Sequence, residues 1–274
     1  MPLTVTFDTN TLASVVSPDI TGAQRGTGPS GATVRTAIQA GQIQGFFSET
    51  LITLEGIEDK DRAQVLGKTE VIHESSSAGK NITLTVGVRH TRNPFDPRFT
   101  TRVQQALALG MLPLRTAARI GGFHIMAPNY PIFEPTGGIL ELVRCMDNVN
   151  EMTTEIARRG VGEAVAVKLG LEFGNRRKDE SKPELWLRGL RLAHNKSERT
   201  KVAMAIREWA DGDSVAAHYG FGIDLFCSDD CGKTAAGPSV LDCNNRRWLR
   251  EDFGVQFVRL DDLAKRVMAL RSSG

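Results

Sequence analysis

Acidic residues flank a short apolar run near the C-terminal end of the sequence, in the segment Ala210–Asp230 (ADGDSVAAHYGFGIDLFCSDD). The run Ile223–Cys227 is compact and apolar, which favours a buried strand of a parallel sheet. Ser228–Asp230 follows that strand, and Asp213 marks the expected start of a short helix before it. Ligands bind outside the carboxyl ends of strands in open α/β sheets. The structural alternative is a helix cap at Asp213 and polar turn residues after the strand.

Two further acids have comparable positions. Leu3–Phe7 (LTVTF) is predicted to be a central strand, and Asp8 follows its carboxyl end. Ser48 is predicted to cap a helix on which Glu55 projects inside the apolar stripe. A carboxylate on a packed stripe is costly unless it is paired or bound to a metal. A glutamate at the edge of the stripe that reaches solvent is the structural alternative.

Asp8, Glu55, Asp213 and Asp230 therefore have equivalent expected positions, at strand ends or on the helices that flank them. Oxygen ligands that converge without His or Cys suit Mg²⁺ or Mn²⁺. Such a site lowers the pKa of a bound water and stabilises charge on a phosphodiester during its hydrolysis. Asp211 competes with Asp213 for the third position.

The order of strand-like and helix-like segments predicts a parallel α/β sheet flanked by helices, built from residues 1–69 and 203–274. Residues 70–202 differ in texture and are predicted to be an inserted α+β subdomain of unknown role. The predicted strands are at 3–7, 43–47, 82–88, 223–227 and 255–258. The predicted helices are at 32–40, from Ser48 onward, at 99–109, 138–159 and 195–209, from Asp213 onward, at 240–250, and from Asp261 or Asp262 to 270.

Composition limits the possible partners. The chain has 274 residues, 41% apolar and 24% charged, which is typical of a globular protein. Its net charge is only +2, so attraction to nucleic acid requires a local basic patch. The sequence contains no run of 18 apolar residues and no signal peptide, so a cytoplasmic protein without a membrane partner is expected. The cysteines are too few and too unevenly spaced for a disulfide framework or a standard zinc site; they are Cys145, Cys227, Cys231 and Cys243.

Four segments resemble the PIN-domain nucleases: VTFDTNTL (Val5–Leu12), SETLITLEGI (Ser48–Ile57), DSVAAHYGFGIDLFCSDD (Asp213–Asp230) and RWLREDFGVQFVRLDDL (Arg247–Leu263). Together they cover about half of the chain. The resemblance implies a Rossmann-like PIN-type fold and a hydrolase that cuts RNA with Mg²⁺ or Mn²⁺. It also implies in-line attack on phosphorus that leaves 5′-phosphate and 3′-hydroxyl ends.

Matched position by position, the resemblance assigns the first to fourth acids to Asp8, Glu55, Asp213 and Asp230. Asn10 matches the polar residue after the first acid, and Ser228 stands where the family usually has threonine. Asp229 departs from the pattern, because asparagine or arginine is more usual there, and we expect this extra carboxylate to crowd the site. Residues 70–202 have no counterpart in the small PIN toxins, which makes an antitoxin partner doubtful.

Basic residues are the candidates for binding a nucleic-acid backbone, RNA more than DNA. Lys and Arg hold phosphates without reading sequence. For most of them the alternative is ordinary solvated surface charge. The candidate substrate-binding residues are Arg89, Arg92, Arg98, Arg102, Arg246 and Arg247, with His90 and Arg250 beside them.

Two other functions stay open. One is a catalytically inactive PIN-like protein that binds nucleic acid or acts as a scaffold. The other is a phosphatase with Asp8 as nucleophile, which requires a second aspartate two residues on, where this chain has Asn10. The sequence leaves open whether the protein forms a homo-oligomer.

Overall fold

The computed structural model describes residues 2–17, 29–67, 70–78, 81–89, 97–116, 131–176, 185–232 and 239–272. Its strands are β1 (Leu3–Phe7), β2 (Ile43–Ser48), β3 (Glu70–Ala78), β4 (Asn81–Arg89), β5 (Leu112–Leu114), β6 (Leu225–Cys227) and β7 (Phe257–Val258). Its α-helices are α1 (Thr9–Val16), α2 (Pro29–Gln39), α3 (Arg62–Gly67), α4 (Pro97–Ala108), α5 (Gly138–Arg158), α6 (Glu163–Gly174), α7 (Leu185–Leu190), α8 (Lys196–Gly220), α9 (Cys243–Phe253) and α10 (Leu260–Ser272).

Five strands form one parallel sheet in the order β5-β2-β1-β6-β7, flanked by helices. The predicted α/β architecture with a parallel sheet is therefore confirmed. In the centre of the sheet, Phe7 pairs with Phe47 of β2 and with Cys227 of β6. All three side chains are almost fully buried, as expected for strands covered on both faces. The carboxyl ends of β1 and β6 are consequently adjacent, and Asp8 follows one while Ser228 follows the other.

The main sheet takes one of its strands from residues 70–202. Strand β5 pairs in parallel with β2, and Val103 and Ala106 of α4 belong to the same hydrophobic core as β1. Other parts of that stretch lie outside the sheet. Strands β3 and β4 form a separate antiparallel pair, and α5 and α6 pack along α8.

The helix predicted from Ser48 is wrong. Ser48 does act as a cap, because its hydroxyl accepts a hydrogen bond from the Thr50 N–H at 3.1 Å, but only the 3-10 helix Glu49–Ile52 follows. The backbone then turns, and the Glu55 N–H donates to the Thr50 carbonyl at 2.9 Å. Several β-branched residues in this segment disfavour a continued α-helix. Glu55 therefore lies in a turn, half-buried, and not on a helical stripe.

The helix predicted to start at Asp213 is also wrong. Helix α8 begins after Asn195, whose side chain accepts a hydrogen bond from the Glu198 N–H at 2.9 Å, and continues to Gly220. Gly212 does not break it. A Cβ at Gly212 would lie 3.1 Å from the Cα of Gly162, so this glycine permits close packing against the loop before α6. Among the described residues, no helix is long and apolar enough to cross a membrane.

Candidate functional site

Asp8 is held by three hydrogen bonds at the junction of β1 and α1. It caps α1, and its Oδ1 accepts from the Thr9 N–H at 2.7 Å. Its Oδ2 accepts from the Ser228 hydroxyl at 2.6 Å and from the Asn10 amide at 2.8 Å. Two of the three residues predicted to support the site, Asn10 and Ser228, thus orient Asp8 directly. The carboxylate is only 7% exposed.

Thr9 links Asp8 to Glu55. Its backbone N–H bonds to Asp8, and its hydroxyl donates to Glu55 Oε2 at 2.8 Å. The Thr50 hydroxyl donates to the same oxygen at 3.2 Å. Thr9 was not among the site residues predicted from the sequence. Its position between Asp8 and Asn10 could have identified it as a site residue. The helix that begins there, α1, was not predicted either.

Ser228 links Asp8 to Asp230, because its hydroxyl also accepts a hydrogen bond from the Asp230 N–H at 3.2 Å. One oxygen of the Asp230 carboxylate accepts from the Gly232 N–H at 2.8 Å. Asp229 points elsewhere: its Oδ1 accepts from the Leu260 N–H at 3.1 Å, at the start of α10. The expectation that Asp229 crowds the acids is therefore wrong, since its carboxylate serves the end of a helix.

Asp211, and not Asp213, faces the other acids. Residues two apart on an α-helix point about 200° away from each other. Asp211 lines a cleft together with Asp8, Glu55 and Asp230. Asp213 is 4% exposed and is not among the described residues that line this cleft. The aspartate of α8 that lines the cleft with the other acids is therefore Asp211, two residues before the one that the resemblance assigns.

The acids lie close enough to affect one another's ionisation. The pKa of Asp8 is raised to about 6, chiefly by burial and also by the charges of Glu55 and Asp230, while the hydrogen bonds from Ser228 and Thr9 oppose the shift. The pKa of Asp211 is also raised, first by burial and then by the charges of Asp8, Glu55 and other acids. A cation among these carboxylates would relieve this repulsion.

The cleft has a volume of about 1070 Å³. Its lining combines the acids with cations from α3, α4, α6 and α8 and from the turn before α3. The basic residues among its described lining are Lys60, Arg62, Arg98, Arg102, Lys168, Lys201 and Arg207.

Glu208 also lines the cleft, but its contacts are structural. Its Oε1 accepts hydrogen bonds from the Gly162 N–H at 3.0 Å and from the Val240 N–H at 2.7 Å. These bonds tie α8 to the loops before α6 and α9. Burial raises the pKa of Glu208, and the two backbone bonds oppose that shift. Glu208 was not predicted from the sequence, although it lies three residues before Asp211 on the same face of α8.

The predicted substrate-binding arginines divide into several groups. Arg98 and Arg102 of α4 line the cleft. Arg246 donates to the carbonyls of Asp230 and Leu241, so it contacts protein backbone.

The other predicted basic residues are not among the described lining of the cleft. Arg247 is exposed on α9 and is not among the described lining residues, and Arg89 ends β4. Arg92 and His90 lie outside the described residues. The exposed lysines of the lining, Lys60, Lys168 and Lys201, were not predicted.

The donor chemistry of the acid cluster suits a hard divalent cation, because it consists of carboxylate, hydroxyl and amide oxygens. Within the described part of the chain, no group of three or more His, Cys, Asp or Glu side chains is arranged so that it could hold a metal ion. Mg²⁺ usually keeps several waters and takes only one or two carboxylates directly, so it does not require a closed cage. The four cysteines are free thiols.

No protein-family model matches the chain, and neither a curated protein nor a solved structure is significantly similar to it.

Proposed function

We propose that the protein is a PIN-like nuclease that hydrolyses phosphodiester bonds with Mg²⁺ or Mn²⁺, in RNA more than in DNA. The observation that carries the proposal is the meeting of Asp8, Glu55, Asp211 and Asp230 in one cleft at the carboxyl edge of a parallel sheet. These residues come from four separate parts of the sequence. Burial, together with the like charges of the neighbouring acids, raises the pKa of Asp8 and of Asp211, an arrangement typical of functional sites.

A bound divalent cation would supply an activated water and stabilise the charge that develops on the phosphoryl group. Asp8, Glu55, Asp211 and Asp230 would hold it. Thr9, Asn10 and Ser228 fix the orientation of Asp8, so this carboxylate is preorganised. Ser228 also bonds the Asp230 N–H, which links the first acid to the fourth.

The cations of the lining support a nucleic-acid substrate. Arg98 and Lys168 are exposed residues of the cleft from two helices, and Lys201 is a third from α8. Such groups bind phosphates without sequence preference. The net charge of the whole chain is only +2, so this local concentration of cations is what would attract the backbone.

The phosphatase alternative is less consistent with the geometry. An aspartyl nucleophile of this kind needs a general acid two residues further on. That position is Asn10, which donates an amide N–H to Asp8 Oδ2 at 2.8 Å. An amide does not act as a general acid.

The proposal is tested by cleavage of a labelled single-stranded RNA oligonucleotide with and without Mn²⁺. We expect the wild-type protein to cut it only with the metal, leaving 5′-phosphate ends. Asp8→Asn should lower the rate at least roughly a hundredfold, because it removes a charge from the centre of the cluster. The matched control is Asp252→Asn on the exposed face of α9, which should cut at the wild-type rate.

Equal rates for Asp8→Asn and the wild type would contradict the proposal. A wild-type protein that binds the oligonucleotide but never cuts it, with Mn²⁺ or Mg²⁺, would favour the inactive, nucleic-acid-binding alternative.

A further inference from the structure

The four acids of the cleft differ in what holds their backbone. Asp8 joins a strand to a helix, and Asp211 lies inside the long helix α8, so regular hydrogen bonding fixes both. Glu55 lies in the turn before α3, and Asp230 lies in the irregular segment after β6. Irregular segments open more easily than core helices and strands. Glu55 and Asp230 therefore need a further constraint.

Arg62 provides this constraint for Glu55. It is only 3% exposed, and its guanidinium donates to the carbonyls of Glu55 at 3.3 Å and Ile57 at 3.1 Å. It also donates to the Ala203 carbonyl of α8 at 3.0 Å. An ion pair with Asp59 at 3.2 Å balances the buried charge. One side chain thus joins the turn that carries Glu55 to the helix that carries Asp211.

Arg246 provides the constraint for Asp230. Its Nη2 donates to the Asp230 carbonyl, and its Nε donates to the Leu241 carbonyl at 2.8 Å. Its guanidinium lies over the ring of Phe257, 4.7 Å from the centroid. The segment after β6 is therefore tied to the start of α9 and to strand β7.

We propose that Arg62 and Arg246 are positioning residues, each of which holds the main-chain carbonyl of one acid so that its carboxylate faces the cleft. The purpose assigned to them rests on the proposed metal-dependent function; the hydrogen bonds do not. Arginine suits this role because its planar fork donates to two or more carbonyls in a fixed geometry.

Positioning and simple charge compensation predict opposite effects on cation binding. If Arg246 acted only through its charge, neutralising it would strengthen the binding of a divalent cation to the acids. If Arg246 positions Asp230, its loss should weaken that binding, because one ligand becomes disordered. The sign of the change in Mn²⁺ affinity separates the two.

The test compares Arg246→Met, Arg246→Lys and the neighbouring control Arg247→Met in the full-length protein. Amide hydrogen exchange in EDTA should be about tenfold faster for residues 228–232 in both Arg246 variants and unchanged in the control, because a charge-assisted bond is lost. Mn²⁺ affinity, measured by calorimetry, should fall several-fold in both Arg246 variants.

Unchanged exchange at residues 228–232 in a folded Arg246→Met protein would overturn the proposal, and so would tighter Mn²⁺ binding. If Arg246→Met does not fold, amide exchange at residues 228–232 and Mn²⁺ affinity of Arg246→Lys decide whether the proposal holds. Unfolding of both variants would also overturn it, because it would assign Arg246 to the fold as a whole. A wild-type protein that binds no Mn²⁺ would refute the metal-dependent function, while the exchange experiment would still decide whether Arg246 holds the segment.

Discussion

Polar side chains at the carboxyl end of β1 differ from those along the same strand. At the end, Asp8 lies among Glu55, Asp211 and Asp230, and the pKa of Asp8 is raised. Along the strand, polar groups occur in local pairs. Thr4 exchanges hydrogen bonds with Asp224, and its hydroxyl donates to the carboxylate at 2.7 Å.

The second pair along the strand contains a buried histidine. His218 of α8 is 2% exposed, and its Nδ1 lies 3.1 Å from the Thr6 hydroxyl. Burial lowers the pKa of His218 to about 3, and the nearby charge of Asp224 opposes the shift only in part. His218 is therefore neutral at physiological pH, and the pair introduces no buried charge.

This difference distinguishes polar groups that support the fold from polar groups that we expect to serve the proposed function. The pairs along β1 satisfy their hydrogen bonds without charge repulsion, as expected of groups that only support the fold. The acids at its end repel one another, so their arrangement reduces the stability of the protein without a cation. Stability lost in this way is typical of sites maintained for activity.

The largest effect should distinguish two aspartates of α8. We expect Asp211→Asn to lower Mn²⁺-dependent cleavage at least roughly a hundredfold, because it removes a charge from the cluster. Asp213→Asn should retain activity per folded molecule, since Asp213 lies outside the cleft lining, and should alter thermal stability instead. Cleavage rates and melting temperatures of both variants test this. Loss of activity in folded Asp213→Asn, with an active Asp211→Asn, would restore Asp213 as the third acid.

The next effect concerns how much the acid cluster lowers the free energy of unfolding. Asp8→Asn should increase the free energy of unfolding by about 1 to 3 kcal/mol at pH 7 in EDTA, while it abolishes cleavage. Asparagine is also a good helix cap, so α1 should persist.

The pH dependence of the free energy of unfolding shows whether Asp8 stabilises or destabilises the folded protein. Because the folded pKa of Asp8 is about 6 and the ordinary value is 3.8, the destabilisation is absent below pH 3.8 and complete above pH 6. Urea titrations at pH 7 and pH 4 measure it. Equal stability of the variant and the wild type at pH 7 would show that burial and the neighbouring acids do not destabilise the ionised form of Asp8.

The strand ends were predictable from sequence because parallel neighbours share an edge. Leu3–Phe7 and the run before Ser228 are apolar enough to identify as buried strands. Their parallel pairing then brings Asp8 next to Ser228 and close to Asp230. This part of the site required only local patterns and one general property of α/β sheets.

The sequence also contained the information needed to choose between Asp211 and Asp213, namely the helical spacing of the apolar residues before them. Gly212, which lies between the two aspartates, made a continuous helix difficult to recognise. The stripe Val202, Ile206 and Trp209 is fully packed, and continuing its helical spacing leads to Asp213. A helix uninterrupted at Gly212 would therefore have placed Asp213 on the packed face. The predicted helix start at Asp213 was wrong because it placed a helix boundary within Asp-Gly-Asp, where α8 is continuous.

The roles of Arg62, Glu208 and Arg246 were not predictable, because each depends on distant backbone. Arg62 bonds a carbonyl 141 residues away, and Glu208 accepts from an amide 46 residues away. Buried side chains that bond to irregular backbone leave no periodic pattern in the sequence. Only the folded arrangement identifies them.

The smallest effect should appear along β1, at His218. Its folded pKa of about 3 lies below the ordinary 6.5, so the unfolded chain takes up a proton that the folded protein does not. This contribution to stability is complete above pH 6.5 and is lost as the pH falls toward 3. Between pH 7 and pH 5 the loss should be about 2 kcal/mol.

His218→Gln, which can keep a hydrogen bond to Thr6 but cannot titrate, isolates this contribution. The variant should lose about 2 kcal/mol less stability than the wild type between pH 7 and pH 5 in urea titrations. The exposed His194→Gln is the matched control and should follow the wild type. If His218→Gln also follows the wild type, the folded protein takes up a proton at His218 as readily as the unfolded chain does, and the pair with Thr6 then carries a buried charge at pH 5.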